Sequence, residues 1–332
     1  MLFIHSLPTL SKSPARELFG PGACVGVSIG NFDGMHLGHQ ALFRTLNQEV
    51  EMLAAKEGLR PVKVLFTFAR HPRIFFSKAR AREKDLDPSY WTLTSLRRKI
   101  EIARDCGFDA VLAVRFGRSF SQLDAAGFVD DCLIRGLRAQ LAVVGYDWRF
   151  GRDRQGTAEL LQELGSEAGF RVHIVPEVRI GDQRVSSSAV RHALEEGNLV
   201  KVEQLLGRPF DIVGRVRQGS QRGRQLGFPT ANIITRRQYL PLDGVYAGRM
   251  ILEGRTLDAV ANIGVRPTFG GGERIVEIHV LEQSGLSLYG KCLRLEFHSF
   301  LRPERAFASI TELAQQIRQD CAAARHALAT AS

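Results

Sequence analysis

The apolar residues of this chain follow two different periods, and the change falls at one place. Before residue 207 they come in short solid runs: "CVGVSIG" (24–30), "VKVLFTF" (62–68), "DAVLAVRF" (109–116), "AQLAVVG" (139–145) and "FRVHIVP" (170–176). Between the runs lie stretches with helical spacing, among them Leu37 to Lys56, Leu96 to Arg104 and Phe128 to Leu137. Runs rich in Val, Ile and Leu throughout, alternating with helices, predict a parallel sheet covered on both faces. A helix pair, Ser187–Glu196 and Asn198–Leu206, then stops at "GRP" (207–209).

Beyond that point the period is two. Phe210, Ile212, Gly214 and Val216 alternate with Asp211, Val213, Arg215 and Arg217. Val276, Ile278 and Val280 alternate with Glu277 and His279, and Leu293, Leu295 and Phe297 with Arg294, Glu296 and His298. Such alternation, punctuated by Gly and Pro, predicts an antiparallel sheet or small barrel. Ser309 and Glu312 form a capping-box pattern opening one last helix, striped by Ile310, Leu313, Ile317, Cys321 and Ala324. A chain of 332 residues has room for two cores, so the expected division is 1–206 and 207–332.

Open parallel sheets bind ligands beyond the carboxyl ends of their strands, and Gly30 lies at that end of the first run. There the sequence reads "VGVSIGNFDGMHLGHQALF" (25–43). A helix starting near Leu37 puts His36 and His39 in its first turn, where free N–H groups and the helix dipole favour an anion. Glycines at 30, 34 and 38 let a phosphate chain approach the backbone. Taken alone, loop glycines with two surface histidines, or an H-x-x-H metal pair, would also account for the string. Farther on, "RVSSSAVR" (184–191) starts a helix with Ser186, Ser187 and Ser188, bracketed by Arg184 and Arg191. An ordinary serine cap with surface arginines would read the same. Asp147 follows the fourth run at the same sheet edge.

The second half holds no G-x-x-x-x-G-K-[ST], so phosphoryl transfer there would need another scaffold. It carries "GRVRQGSQRGRQLGFPTANI" (214–233), in which Gly219, Gly223 and Gly227 allow a tight wrap and Arg222 and Arg224 supply charge. Thr230 and Asn232 are two apart on an extended segment and point the same way, with neutral oxygens suited to part of a Mg²⁺ shell. Glu277 lies on the face opposite Val276, Ile278 and Val280. A basic hairpin turn and a solvated strand carboxylate are the plainer alternatives.

These strings bear a resemblance. "GNFDGMHLGH" resembles the G-x-F-D-G-x-H-x-G-H signature of the bacterial bifunctional riboflavin kinase/FMN adenylyltransferases, the FAD synthetases. "VVGYDWRFGRDRQG" (143–156) is similar to that family's V-G-x-D/N-F-x-F-G segment, with Trp148 for phenylalanine. "RVSSSAVR" is similar to R-x-S-S-T-x-I-R, with Ser188 for threonine and Val190 for isoleucine. "FTFARHP" (66–72), with Arg70 where the family has P-H-P, and "LTSLRRKIE" (93–101) are further family-like segments. In the second half "GFPTAN" resembles the riboflavin kinase mark, and "VANIGVRPTF" (260–269), "SLYGK" (287–291) and "FLRPERAFASITEL" (300–313) extend the match.

The resemblance implies an α/β chain: a Rossmann-like nucleotidylyltransferase domain with a parallel sheet, then a small antiparallel β-barrel with a terminal helix. It implies ATP as co-substrate, Mg²⁺, and riboflavin, FMN and FAD as substrates and products. His36, His39, Asp147, Arg184 and Ser187 would serve adenylyl transfer, with Gly30, Asn31, Phe32, Asp33, Gly34 and Arg191 around the nucleotide. In the second module Glu277 would take the ribityl proton, Thr230 and Asn232 would hold the metal, and Gly219, Arg224, Gly227, Phe228 and Arg302 would line the nucleotide and flavin sites.

Bulk composition narrows the partners. Five cysteines, far apart and with no C-x-x-C pair, suggest neither a disulfide framework nor a thiolate zinc site, as in a reducing compartment. The first residues show no basic lead before a long apolar core, and no uncharged run approaches the ~18 residues of a spanning helix. A cytoplasmic address follows as the expectation. The formal charge of +10 suits nucleotide polyanions. A basic barrel binding RNA would show aromatics interleaved with charge, and the second half has few outside its apolar alternation. A nucleotidylyltransferase for another small phosphate, with a structural second domain, is the rival within enzymes. The expectation is therefore small-molecule substrates, no nucleic acid, no membrane, and room for a homo-oligomer.

Overall fold

The computed structural model describes residues 1–4, 18–78, 91–217, 228–235, 238–266, 273–281 and 288–330. The chain forms two compact units: Met1–Tyr90 with Leu96–Val185, and Trp91–Ser95 with Ser186–Ser332.

In the first unit the elements run β1 (Leu2–Ile4), β2 (Ala23–Ile29), α1 (Leu37–Glu57), β3 (Arg60–Phe68), α2 (Pro72–Lys78), α3 (Leu96–Asp105) and β4 (Ala110–Val114). A helical turn, Ala125–Phe128, leads into a π-helical stretch, Val129–Leu137. Then come β5 (Ala139–Gly145), β6 (Arg149–Phe150), β7 (Gly156–Thr157), α4 (Ala158–Ala168), β8 (Arg171–Val175), β9 (Arg179–Ile180) and β10 (Gln183–Arg184). All five apolar runs are strands of one six-stranded sheet, ordered β1-β4-β3-β2-β5-β8. Every pairing within it is parallel. The sixth strand, β1, extends an edge that the periodicity did not show. The helix expected over 128–137 is there, but its pitch is π rather than α.

Both faces of the sheet are covered. Val25, Val27, Val64 and Phe66 pack against Phe128, Cys132 and Leu133 on one side. Leu65, Val111, Leu141 and Val143 meet Phe43, Leu46, Val50 and Leu53 of α1 on the other. Each large side chain so buried contributes roughly 1.5–3 kcal/mol. α1 has no Gly or Pro after its first turn and ends on Gly58, whose left-handed backbone (φ 67°) returns its N–H to the carbonyls of Ala54 and Ala55. Its approach to the sheet depends on Gly26: a Cβ there would stand 2.9 Å from Leu46 Cδ1 and Val50 Cγ2.

The strand order reverses beside β2. From β2 the chain builds outward through β3 and β4, then returns to place β5 on the other side of β2. The carboxyl ends of β2 and β5 thus flank a topological switch point, the position where such sheets hold ligands.

In the second unit α5 (Ser187–Glu195) and α6 (Leu199–Leu206) precede β11 (Phe210–Arg217), β12 (Ala231–Ile234), β13 (Gly244–Leu252), β14 (Arg255–Arg266), β15 (Glu273–Val280), β16 (Cys292–Arg302) and α7 (Ile310–Thr330). The strands close into an antiparallel barrel in the order β11-β12-β15-β14-β13-β16. The period-two stretches are β11, β15 and β16; β12, β13 and β14 complete the closure. α6 packs on β11 and β16. Residues 91–95 join this unit through Gln238, whose amide donates to the carbonyls of Leu93 (3.1 Å) and Asp211 (2.9 Å).

The capping box of α7 forms as expected: Ser309 Oγ accepts from the N–H of Glu312, and the Glu312 carboxylate accepts from that of Ala308, both at 3.1 Å. Cys321, Ala324 and Leu328 are its buried stripe, packed with Val245, Ala247 and Val260 of the barrel. Ile310, expected in that stripe, is 71% exposed, because the first turn of α7 carries it clear of the barrel.

The contact at Gly26 generates a test. Gly26→Ala forces α1 away from β2 and is expected to cost about 1–3 kcal/mol, as overpacked cores do. Urea unfolding followed by circular dichroism measures it; parent-like stability would mean that α1 is not seated as described.

Candidate active sites

β2 ends at Ile29, and the loop "GNFDGM" (30–35) carries the chain to α1. His36 caps that helix with extended backbone (φ −70°, ψ 172°), and its Nδ1 accepts from the N–H of His39 at 3.4 Å. A helix whose N-cap is an imidazole keeps a ring at the mouth of its free N–H groups. The two imidazoles stack, centroids 3.7 Å apart and planes 17° apart, and His36 is 7% exposed. Gly38 makes the stack fit: a Cβ there would lie 3.1 Å from His36 Cε1 and Nδ1.

The loop is held from beneath. Phe32 is buried, its ring 5.2 Å edge-on from His39 and 5.2 Å from Phe43. Phe32 and Met35 both have φ 46°, a region that side chains other than glycine rarely occupy. The Asn31 carbonyl accepts from Lys99 Nζ at 2.5 Å and from Thr67 Oγ1 at 3.2 Å. Burial holds the Lys99 ammonium below its usual range, with nearby Asp33, itself buried, pulling the other way. The predicted set Gly30, Asn31, Phe32, Asp33, Gly34, His36 and His39 is therefore one continuous feature at the switch point.

Asp147, just past β5, forms an ion pair with Arg184 of β10, two residues the sequence placed at the same edge. The Arg184 guanidinium also lies 5.1 Å over the Tyr146 ring, and the Tyr146 hydroxyl donates to Glu177 (3.3 Å). The neighbouring Val185 carbonyl is 3.7 Å from where a Gly38 Cβ would be, so the Arg184 segment runs beside the start of α1. Trp148, the substituted position, stacks on Phe150 at 4.6 Å.

Ser187 and Arg191 belong to the second unit. Ser186 is the N-cap of α5, its hydroxyl accepting from the N–H of Ala189 at 3.1 Å, and Ser187 is the first helical residue. Arg191 donates to the carbonyls of Ser187 (3.3 Å) and Trp91 (3.2 Å) and lies 5.6 Å over the Tyr239 ring.

On the barrel, strand register makes a polar row. Glu277 of β15 pairs with Asn232 of β12 on one side and with Asn262 of β14 on the other. Val276 and Ile278 are buried, so the row faces outward, as the alternation required. Asn262 donates to Glu304 at 3.1 Å. The Asn232 side-chain oxygen is buried with no hydrogen-bond partner among the described residues, a vacancy in bonding that suits a cation or a ligand donor. Phe228 packs at the edge of the barrel–α7 core, 5.5 Å from the His279 ring, and His279 Nδ1 lies 3.0 Å from the Pro229 carbonyl. These contacts seat the segment leading into Thr230 on β15. Gly219, Arg224 and Gly227 lie outside the described residues. Arg302 Nε and Nη2 donate to the two oxygens of Asp320 at 2.9 and 2.7 Å, tying β16 to α7.

Sequence reasoning did not single out Lys99, Thr67, Asn262 or Glu304. Lys99 left a signal, since it occupies the apolar stripe of α3 with Ile102 and Ala103. Asn262 and Glu304 meet only through the barrel's closure.

Comparison with known proteins agrees with both halves. A family model described as FAD synthetase matches residues 22–189, and one described as riboflavin kinase matches residues 206–328. The bifunctional riboflavin kinase/FMN adenylyltransferase of Escherichia coli (strain K12) is 41% identical over 326 residues, covering 98% of this chain and 97% of its own. The protein of that description from Pseudomonas fluorescens is 41% identical over 303 residues, 91% of this chain and 92% of its own. A crystal structure described as a macrolide-efflux protein from Streptococcus pneumoniae is 29% identical, with a TM-score of 0.81 over 98% of this chain and 99% of that one. Among the described residues no helix is long and apolar enough to cross a membrane. With both family models matched in order and relatives 41% identical end to end, the chain belongs to the bifunctional riboflavin kinase/FMN adenylyltransferase family.

Proposed function

We propose that this chain makes FAD from riboflavin in two ATP-dependent steps carried by separate sites, with the functional boundary at "GRP" (207–209) and a cytoplasmic address. The observation that carries the reading is the stacked His36–His39 pair capping α1 at the switch point, in a chain that also carries Glu277 between Asn232 and Asn262 on a closed barrel.

In the barrel unit the ribityl hydroxyl of riboflavin attacks the γ-phosphorus of ATP, the bond to the β-phosphate oxygen breaks, and FMN and ADP leave. Glu277, set by strand register between Asn232 and Asn262, accepts the hydroxyl proton. Thr230 and the unpartnered Asn232 oxygen fit a hard cation, and Mg²⁺ bound there with the triphosphate would supply charge neutralisation. Gly219, Arg224, Gly227 and Phe228 complete the nucleotide and flavin surroundings in this reading.

In the sheet unit a phosphate oxygen of FMN attacks the α-phosphorus of ATP, and pyrophosphate leaves with the electrons of the broken Pα–O bond. No covalent enzyme intermediate is needed. The α1 N–H groups and the His36 and His39 imidazoles meet charge that builds on the phosphates, and Arg184, oriented by Asp147, adds a guanidinium. Phe68 and Phe116, at the ends of β3 and just after β4, stack edge to face with Phe120 and Phe75, and exposed Phe76 joins them. That surface suits the flat FMN ring system.

Two substitutions separate the steps. His36→Ala is expected to lower FAD formation from FMN by about 10²–10³-fold, with riboflavin phosphorylation unchanged. Glu277→Ala is expected to lower FMN formation by about 10²–10⁴-fold and leave FAD formation from supplied FMN intact. Chromatographic quantitation of FMN and FAD reads both; equal loss of both activities in either variant contradicts two independent sites.

A further inference from the structure

Lys99 stands where its helix asks for an apolar side chain. It shares the buried face of α3 with Ile102 and Ala103, at core-stripe spacing, and is 5% exposed. A lysine there gains nothing in packing over methionine, and its charge costs desolvation. Yet its Nζ and Thr67 Oγ1, brought from α3 and β3, converge on one acceptor: the Asn31 carbonyl, at 2.5 and 3.2 Å. That carbonyl belongs to the loop between β2 and His36.

Peptide geometry gives the consequence. In a planar trans peptide the C=O and N–H point in opposite directions. Fixing the Asn31 oxygen on Lys99 and Thr67 therefore turns the Phe32 N–H away from them. It also sustains Phe32 at φ 46°, a conformation that persists only where surroundings over-determine it. The ring of Phe32, in contact with His39, passes that constraint to the histidine stack.

We infer that Lys99, acting with Thr67, is a positioning residue for FMN adenylylation: the pair clamps the Asn31–Phe32 peptide so that the loop's N–H groups and the His36–His39 stack meet the ATP phosphates in register. The inference rests on the adenylyl-transfer role proposed above for the His36 site.

The test uses the full chain. Lys99→Met, Thr67→Val and the double variant are assayed for FAD formation from FMN and Mg-ATP, with riboflavin phosphorylation and thermal melting in parallel. Lys99→Met is expected to lower kcat for FAD formation about 10–100-fold, as misplacement of a catalytic group does. KM for FMN stays within about twofold, since the clamp does not touch the flavin. Riboflavin phosphorylation is unchanged. Thr67→Val falls in the same direction by a smaller factor, and the double variant is no worse than the product of the two would require, because both donors serve one acceptor. Lys99→Arg, which restores a cationic donor, recovers part of the loss.

Parent-like kcat in Lys99→Met, or a loss confined to KM for FMN, overturns the clamp. If Lys99→Met does not fold, Thr67→Val decides, and unchanged kcat there overturns it equally. His36→Ala assayed alongside keeps the two claims apart. Full FAD formation in that variant overturns the site itself; loss there with full activity in Lys99→Met overturns the clamp alone.

Discussion

The sheet unit depends on α1 beginning where β2 ends. Gly26 lets Leu46 and Val50 lie against the strand, and that contact fixes where the helix axis runs. With the axis fixed, the short loop from Gly30 to Met35 has little freedom, and two residues other than glycine, Phe32 and Met35, accept left-handed backbone to make the connection. The first turn of α1 then stands at the switch point between β2 and β5. Helix packing thus sets where the α1 terminus lies before any side chain is considered, and a helix N-terminus favours anions.

The barrel meets a related demand by different means. Among the described residues no helix begins at its polar row. Antiparallel register aligns Asn232, Glu277 and Asn262 across three strands, and closure of the sheet keeps them aligned. Neutral oxygens and a carboxylate suit a cation-bound triphosphate and a hydroxyl nucleophile; amides and imidazoles suit a bare phosphate chain. The two reactions break different bonds of ATP, γ in one case and α in the other, and the two scaffolds present different chemistry accordingly. Arg302, through its bidentate pair with Asp320, also ties β16 to α7.

Much of this was legible in the sequence. The solid apolar runs named five of the six sheet strands, and "GNFDGMHLGH" placed the helix start near Leu37, where it lies, because the cap, the glycines and the apolar stripe of α1 all agree. β1 was not legible: three residues at an edge carry no period. β12 to β14 were obscured because small residues such as Gly248, Ala259 and Ala261 sit at inward positions where the barrel is tight. The joining of 91–95 to the second unit depends on Gln238, Tyr239 and Arg191, all distant from it in sequence. Lys99 was visible as an oddity on an apolar stripe, but only the fold shows which carbonyl it serves.

The central claim is that two sites consume two ATP molecules by different bond cleavages. Stoichiometry tests it most directly: the chain is supplied with riboflavin and Mg-ATP, and ADP, pyrophosphate, FMN and FAD are quantified over time, then again starting from FMN. The account predicts one ADP for each riboflavin phosphorylated, one pyrophosphate for each FAD, FMN appearing before FAD, and pyrophosphate without ADP when FMN is the starting flavin. Flavin-dependent ADP release during FAD formation from FMN, or FAD formation from riboflavin without ADP, would contradict it.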